Sequence, residues 1–456
     1  MERIKKNYVL DMTTGSPARL LLKFALPLVI GNVLQQFYNM ADTAIAGHLL
    51  GDQALAQIGA TSALYSLITN FCFGMNNGLS LAVSRSFGAN DKKEMKQSVC
   101  WMINLSLSFG IILMAAFLIF RRPLLAALQT PDDVIRGALN YLTIILIGIP
   151  LTMIYNLESG LLRAVGNSIT PLWFLLFSSI LNVILDLAFM GPLNMGVSGA
   201  AIATVLSQGI SALLGLLYIM RFYPEFRFAK ETLRVPLSFV TDMLWSGISM
   251  ALMTTIYSIG SVILQSSINA LGSVYIAAQV GARRLAEFFF TPGASISTAI
   301  ATFSSQNYGA GKRTRILRGV QTAVLIYVLW WLIAVALTFL LSPWLIRLIT
   351  GSTSETVISS AVLYMKINIP SMPPLIILAI LRSTLQGMKH QLAPLFCSLI
   401  EMAIKAVFAF FIVPSIGYFA VCICEPITWL TCAIFIMGAA LIWRADFRDA
   451  KEAILH

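Results

Sequence analysis

The 456-residue chain is 58% hydrophobic and only 11% charged, a balance that excludes an ordinary water-soluble globule before any motif is read. Its net charge of +11 gathers in short loops between apolar runs, so it is a topology signal rather than a nucleic-acid footprint. The cysteines Cys72, Cys100, Cys397, Cys422, Cys424 and Cys432 fall inside those runs without metal-site or disulfide spacing; they read as inert packed thiols, and no structural metal is expected.

Apolar stretches of about the 20 residues that a membrane-spanning helix needs begin near Leu20, Leu55, Val99, Gly137, Thr170, Val197, Leu237, Val274, Val320, Val357, Ala393 and Ile416. They predict an all-α polytopic membrane protein with about twelve spans, six in each half. The first stretch is longer than the apolar core of a signal peptide and runs on into polar sequence, so it reads as the first span. Arg3, Lys5, Lys6, Arg19 and Lys23 near the start, the loops after every even-numbered span, and Arg444, Arg448 and Lys451 near the end are basic. The opposite loops carry Arg121, Arg122, Arg136 and Arg347. This bias and an even number of spans predict the inner (cytoplasmic) membrane with both termini in the cytoplasm.

The chain states its plan twice. Ile58-Gly59-Ala60 returns as Val280-Gly281-Ala282, the Phe87-Gly88-Ala89 loop as Tyr308-Gly309-Ala310, and Pro171-Leu172 as Pro394-Leu395. The offsets are 280 − 58 = 222, 308 − 87 = 221 and 394 − 171 = 223. A period this long predicts two similar membrane bundles able to rock against each other, the architecture of secondary transporters. The predicted organisation is an N-lobe over 1–220, a cytoplasmic linker over 221–236 containing Pro224 and Pro236, a C-lobe over 237–443 and a tail over 444–456.

An ionised side chain at bilayer depth costs on the order of 3 kcal/mol, so each intramembrane charge needs a partner or a purpose. The first half places Asp42 in span one, Glu158 in span four and Asp186 in span five; the second places Arg283, Arg284, Glu287, Lys366, Arg382, Glu401, Lys405 and Glu425. Arg283 with Glu287, and Glu401 with Lys405, are spaced i,i+4, which predicts that each pair neutralises itself on one helix face. Asp42 and Asp186 have no base at that spacing; their i−4 neighbours are Tyr38 and Asn182. Two such carboxylates facing one cavity can hold a proton or bind Na⁺, and either makes a coupling site. Thr204, within the small-residue stretch Gly199 to Thr204, can add a hydroxyl, although small residues also simply let helices approach. Pro27 removes a backbone hydrogen bond from span one and predicts a kink; its counterpart by the repeat is Ile248.

These residues resemble the multidrug and toxic compound extrusion (MATE) family. The resemblance rests on Pro27, the run Gln35-Gln36-Phe37-Tyr38-Asn39-Met40-Ala41-Asp42 through Gly47, the Gly88-Ala89 loop, Leu162-Arg163-Ala164-Val165-Gly166-Asn167 before Pro171, and Asn182 with Asp186. It implies export of small organic cations by H⁺ or Na⁺ antiport, with no other cofactor. It also implies a cation site at Asp42, Asn182, Asp186 and Thr204 and a bending first helix at Pro27. Where one branch of the family carries C-lobe acids, this chain has Tyr257 and Leu375. Arg284, Glu287, Arg382, Glu401 and Lys405 are therefore expected to form a separate C-lobe polar cluster.

Nineteen methionines and twenty-seven phenylalanines can supply adaptable cavity walls. The candidates for the substrate cavity are Gln36, Tyr38, Asn39, Asn156, Met253, Tyr257 and Gln279. The expected partners are organic cations and the lipid bilayer, with no nucleic acid, and the protein is expected to act as a monomer. A lipid-linked oligosaccharide or lipid flippase is the nearest alternative, and it would need Arg283, Arg284, Arg382 and Lys405 to converge on pyrophosphate. A prenyltransferase-like enzyme is not expected, because Met190 stands where a second aspartate after Asp186 would be needed to hold Mg²⁺-diphosphate.

Overall fold

The computed structural model describes residues 8–128, 130–227 and 230–447, and the basic Arg3, Lys5, Lys6, Arg448 and Lys451 lie outside the described residues. Among the described residues the regular elements are helical throughout. The first half supplies α1 (Pro17–Leu50), α2 (Asp52–Gly88), α3 (Lys92–Ala127), α4 (Asp132–Ile147), α5 (Ile149–Ala164), α6 (Ile169–Met190) and α7 (Gly196–Phe222). The second half repeats the order with α8 (Leu237–Ala270), α9 (Ser273–Gly309), α10 (Arg313–Thr350), α11 (Glu355–Asn368), α12 (Met372–Gly387), α13 (Leu392–Val407) and α14 (Tyr418–Ile442).

Among the described residues, nine helices are each long and apolar enough to cross a membrane, and eleven spans result if each of two bent pairs is one. The bends are 47° between α4 and α5 and 56° between α11 and α12. Each bend lies beside a proline, Pro150 in one half and Pro370 with Pro373 in the other; proline removes a helical donor and strains the residue before it. Helix α9 separates this count from the predicted twelve. It has 37 residues, but Arg283, Arg284 and Glu287 occupy its first half and serines and threonines recur in its second. The outward surface is what a hydrocarbon solvent requires: Leu340 and Ile442 are each 77% exposed, whereas in water such side chains would be driven inside.

The chain divides into two compact units, Met1–Asp11 with Ile30–Ala251 and Met12–Val29 with Leu252–His456. Helices α1 and α8 thus each contribute to both units, and their changeover points, after Val29 and after Ala251, are 251 − 29 = 222 residues apart. In α1 the changeover comes two residues after Pro27. Within the first unit α2 packs on α5, α5 on α7 and α6 on α7; within the second, the equivalents α9 on α12, α12 on α14 and α13 on α14 recur.

Local chemistry explains several of the motifs. Asp91 opens α3 by accepting from the backbone N–H groups of Lys93 and Glu94, both at 2.9 Å, the standard way to satisfy a helix start. The Gly166-Asn167 motif turns the chain between α5 and α6. Gly166 sits at φ +82°, with the Leu10 backbone packed so close that a side chain would not fit. Asn167 Oδ1 accepts from the Thr170 N–H at 3.0 Å, and its amide nitrogen donates to the Tyr223 hydroxyl at 3.0 Å.

Candidate functional site

The i,i+4 series Ser178, Asn182, Asp186 and Met190 is the buried face of α6, while Ile180 and Ile184 on the other face are 54% and 57% exposed. Helical periodicity therefore turns the amide and the acid inward together. Facing them, Gly199, Ala200, Ala201 and Ala203 of α7 are buried, and Met190, Ala46, Ala54, Tyr141, Ala200 and Ala201 form a small apolar cluster beside the site. These small side chains permit a close approach of the two helices.

The structure brings Asp42, Asn182, Asp186 and Thr204 together within the first unit. The Asp42 and Asp186 carboxyls lie within hydrogen-bond reach of each other, joined from α1 and α6. With its amide nitrogen toward Asp186, Asn182 donates to Oδ2 at 2.7 Å and its oxygen accepts from the Thr204 N–H at 3.2 Å. The opposite setting offers only a 3.4 Å contact to Thr204 Oγ1 and turns the amide oxygen on a carboxylate, so the first is the physically sound one. Thr204 Oγ1 donates to the Ala200 carbonyl at 3.0 Å and lies within reach of Tyr38. Asp186 and Asn182 are fully buried, and the Oδ1 atoms of both aspartates are buried without a hydrogen-bond partner among the described residues.

Tyr65 and Tyr141 flank this pair, and Tyr65 reaches Gln208, whose Oε1 also accepts from the Thr152 hydroxyl at 2.8 Å. Sequence reasoning missed these three because a neutral tyrosine or glutamine carries no burial penalty large enough to mark it. Asn156 donates to the Thr152 carbonyl at 2.9 Å, and Asn39 accepts from Gln35 at 3.2 Å. Gln36 is half-buried on α1. Glu158 is a third buried acid, lodged against Gly215, where any larger side chain would collide with its carboxyl.

The second unit handles charge by pairing. Lys405, fully buried, lies 3.4 Å from Glu401 and 3.1 Å from Glu425, and Arg382 lies 3.7 Å from Glu401. Arg382 also donates to Ser398 and to Met253 Sδ, and the Lys405 ammonium sits 4.2 Å from the Tyr257 ring centroid. The Glu401–Lys405 pairing expected from i,i+4 spacing is present. The Arg283–Glu287 pairing is not: the two side chains form no ion pair. Instead both line a cavity of about 260 Å³ together with Tyr257, Leu375, Arg382 and Glu401. Spacing alone permitted the pair, but each side chain turns toward the cavity rather than along the helix. Gln279, a cavity candidate, is buried and accepts from the Tyr418 hydroxyl at 2.8 Å, outside the cavity lining.

The basic residues that a flippase needs gather only in part and are not free: Arg283 and Arg382 line one cavity with Lys405 behind its wall, but they share it with Glu287, Glu401 and Glu425. Arg284 is exposed and is not part of the cavity lining, while Arg382 and Lys405 are taken up by carboxylates. The flippase expectation is corrected on this ground: a cation already neutralised at ion-pair distance has little left for pyrophosphate.

Comparison with known proteins agrees with the fold and the motifs. The chain matches the MatE family over residues 27–188 and 249–411. It is 32% identical over 318 residues to the probable multidrug resistance protein YpnP of Bacillus subtilis (strain 168), covering 67% of this chain and 68% of that one. It is 27% identical over 357 residues to the probable multidrug resistance protein NorM of Thermotoga maritima, covering 76% and 75% of the two chains. Its fold superposes on the crystal structure of MATE in complex with MaL6 with a TM-score of 0.87 at 22% identity, over 95% of this chain and 98% of that one. The duplicated helical plan, the intramembrane acids and these likenesses have one reading: the chain belongs to the MatE family of multidrug efflux transporters.

Proposed function

We propose that the protein exports organic cations in exchange for H⁺ or Na⁺, with Asp42, Asn182, Asp186 and Thr204 as the coupling site. One observation carries this reading: the carboxyls of half-buried Asp42 and fully buried Asp186 lie within reach of each other, with a buried, unpartnered oxygen on each and no ion pair to either among the described residues. Bringing two negative charges together away from water is costly, and a proton or a monovalent cation between them removes that cost. Asn182 orients Asp186 by donating to it, and Thr204 adds a neutral hydroxyl oxygen. The coupling ion and the drug favour oppositely facing states, so binding of one promotes release of the other. Pro27 provides the bend in α1 through which occupancy of Asp42 alters the helix. The protein works as a monomeric transporter and not as an enzyme, in the cytoplasmic membrane, with both termini in the cytoplasm as the basic loops require.

Ethidium transport in reconstituted vesicles, driven by an imposed pH gradient or an imposed Na⁺ gradient, tests the reading. Transport by wild type under one gradient, lost in Asp42→Asn and Asp186→Asn, is the expected result and names the ion. Wild-type rates from a well-expressed Asp42→Asn protein would remove the proposal.

A further inference from the structure

The cavity of the second unit is built unlike the acid site of the first. Its five charged lining residues are Arg283, Glu287, Arg382, Glu401 and Glu425, drawn from four helices. Arg382, Glu401 and Glu425 are held in the Lys405 network, which closes its own charges. That leaves Arg283 and Glu287, one helical turn apart, as a cation and an anion that face the cavity without an ion pair among the described residues. Five aromatic residues, Tyr257, Phe290, Tyr327, Tyr364 and Trp429, share the remaining wall with small and aliphatic side chains such as Ala294, Ser297 and Leu378. Phe290 and Trp429 meet edge to face with ring centroids 5.7 Å apart.

Counting Lys405 behind the wall, three positive and three negative groups surround this space, so neither a bare cation nor a bare anion gains from the net field. A guest that is neutral overall but carries both charges gains twice. Its carboxylate meets the forked guanidinium of Arg283, its ammonium meets Glu287, and an aromatic body stacks on the ring walls. The volume, about 260 Å³, lies just below the range of about 300–1,000 Å³ typical of sites for drug-sized ligands, which favours one fused ring system over a multi-ring drug. We propose that this cavity is a binding site for small aromatic zwitterions, that is, molecules bearing a carboxylate and an amine beside one aromatic group. It is separate from the ion-coupling site and goes beyond the export reading, because binding here needs no gradient.

The test is equilibrium binding to the full chain in lipid nanodiscs, using calorimetry with three probes that share an indole: L-tryptophan with both charges, indole-3-acetate with the carboxylate alone and tryptamine with the amine alone. In wild type, L-tryptophan is expected to bind about tenfold or more tighter than either single-charge probe, a step of about 1.4 kcal/mol. Arg283→Gln is expected to weaken L-tryptophan and indole-3-acetate while leaving tryptamine unchanged, and Glu287→Gln to do the reverse. Arg283→Lys, which keeps the charge but not the fork, is expected to recover part of the loss. Tryptamine binding as tightly as L-tryptophan, or no binding of any probe to wild type, would overturn the proposal. The wild-type ranking decides this even if a variant fails to fold.

Discussion

The two halves share a helix plan at a 222-residue period and use it for opposite electrostatics. In the first, two carboxyls are pressed together with amide and hydroxyl neighbours and no basic side chain paired to them among the described residues. In the second, Lys405 and Arg382 are matched to Glu401 and Glu425, and a further opposite-sign pair lines a cavity. A duplicated scaffold therefore fixes where side chains converge without fixing what converges there. A site lacking its counter-charge must recruit one from outside, which suits ion coupling; a site that contains its counter-charge is stable alone and open to a guest of mixed charge.

The strongest way to break this contrast is to neutralise the unpaired acids. Asp42→Asn or Asp186→Asn is expected to abolish gradient-driven ethidium transport in vesicles, and preserved transport would mean that the first site does not carry the coupling. Next in size is Lys405→Met, which leaves Glu425 buried without its ion-pair partner while Glu401 keeps Arg382; removing one partner of a buried pair costs about 3–5 kcal/mol. Its thermal unfolding midpoint in detergent should fall well below that of wild type, and Glu425→Gln added to Lys405→Met should restore part of the loss.

Asn182→Ala sharpens the comparison within the first unit. A hydrogen bond to a charged group contributes about 1.5–3 kcal/mol, so ion affinity, read from the gradient dependence of ethidium transport, should weaken by about tenfold or more while the protein stays folded. The smallest effect belongs to Tyr38→Phe. It removes one hydroxyl near Thr204, for which about 0.5–1.5 kcal/mol is typical, and a change of a few-fold in the same assay is expected. An unchanged Asn182→Ala beside a strongly impaired Tyr38→Phe would reverse the assigned importance of the two neighbours.

Much of this was legible from the residues alone. The repeat, the apolar runs and the expensive charges are local properties: length decides whether a helix spans, and burial cost marks Asp42 and Asp186 wherever their partners lie. The breaks in spans four and ten were not anticipated, although Pro150, Pro370 and Pro373 were visible, because proline also occurs inside unbroken helices such as α1 with Pro27 and α9 with Pro292. Tyr65, Tyr141 and Gln208 could not be found, since neutral polar residues are cheap enough to occur throughout a bundle.

The sequence by itself determined the class of protein, its internal duplication and the identity of the acids that need an explanation, because hydropathy and charge cost are summed along the chain. Only the tertiary structure decided who meets whom. Asp42 finds Asp186 from a helix more than a hundred residues away, Glu425 joins Lys405 from the next helix, and Arg283 passes over Glu287 for a cavity. Those outcomes depend on how each helix is rotated about its axis and packed on its neighbours, which residue spacing along one helix does not specify.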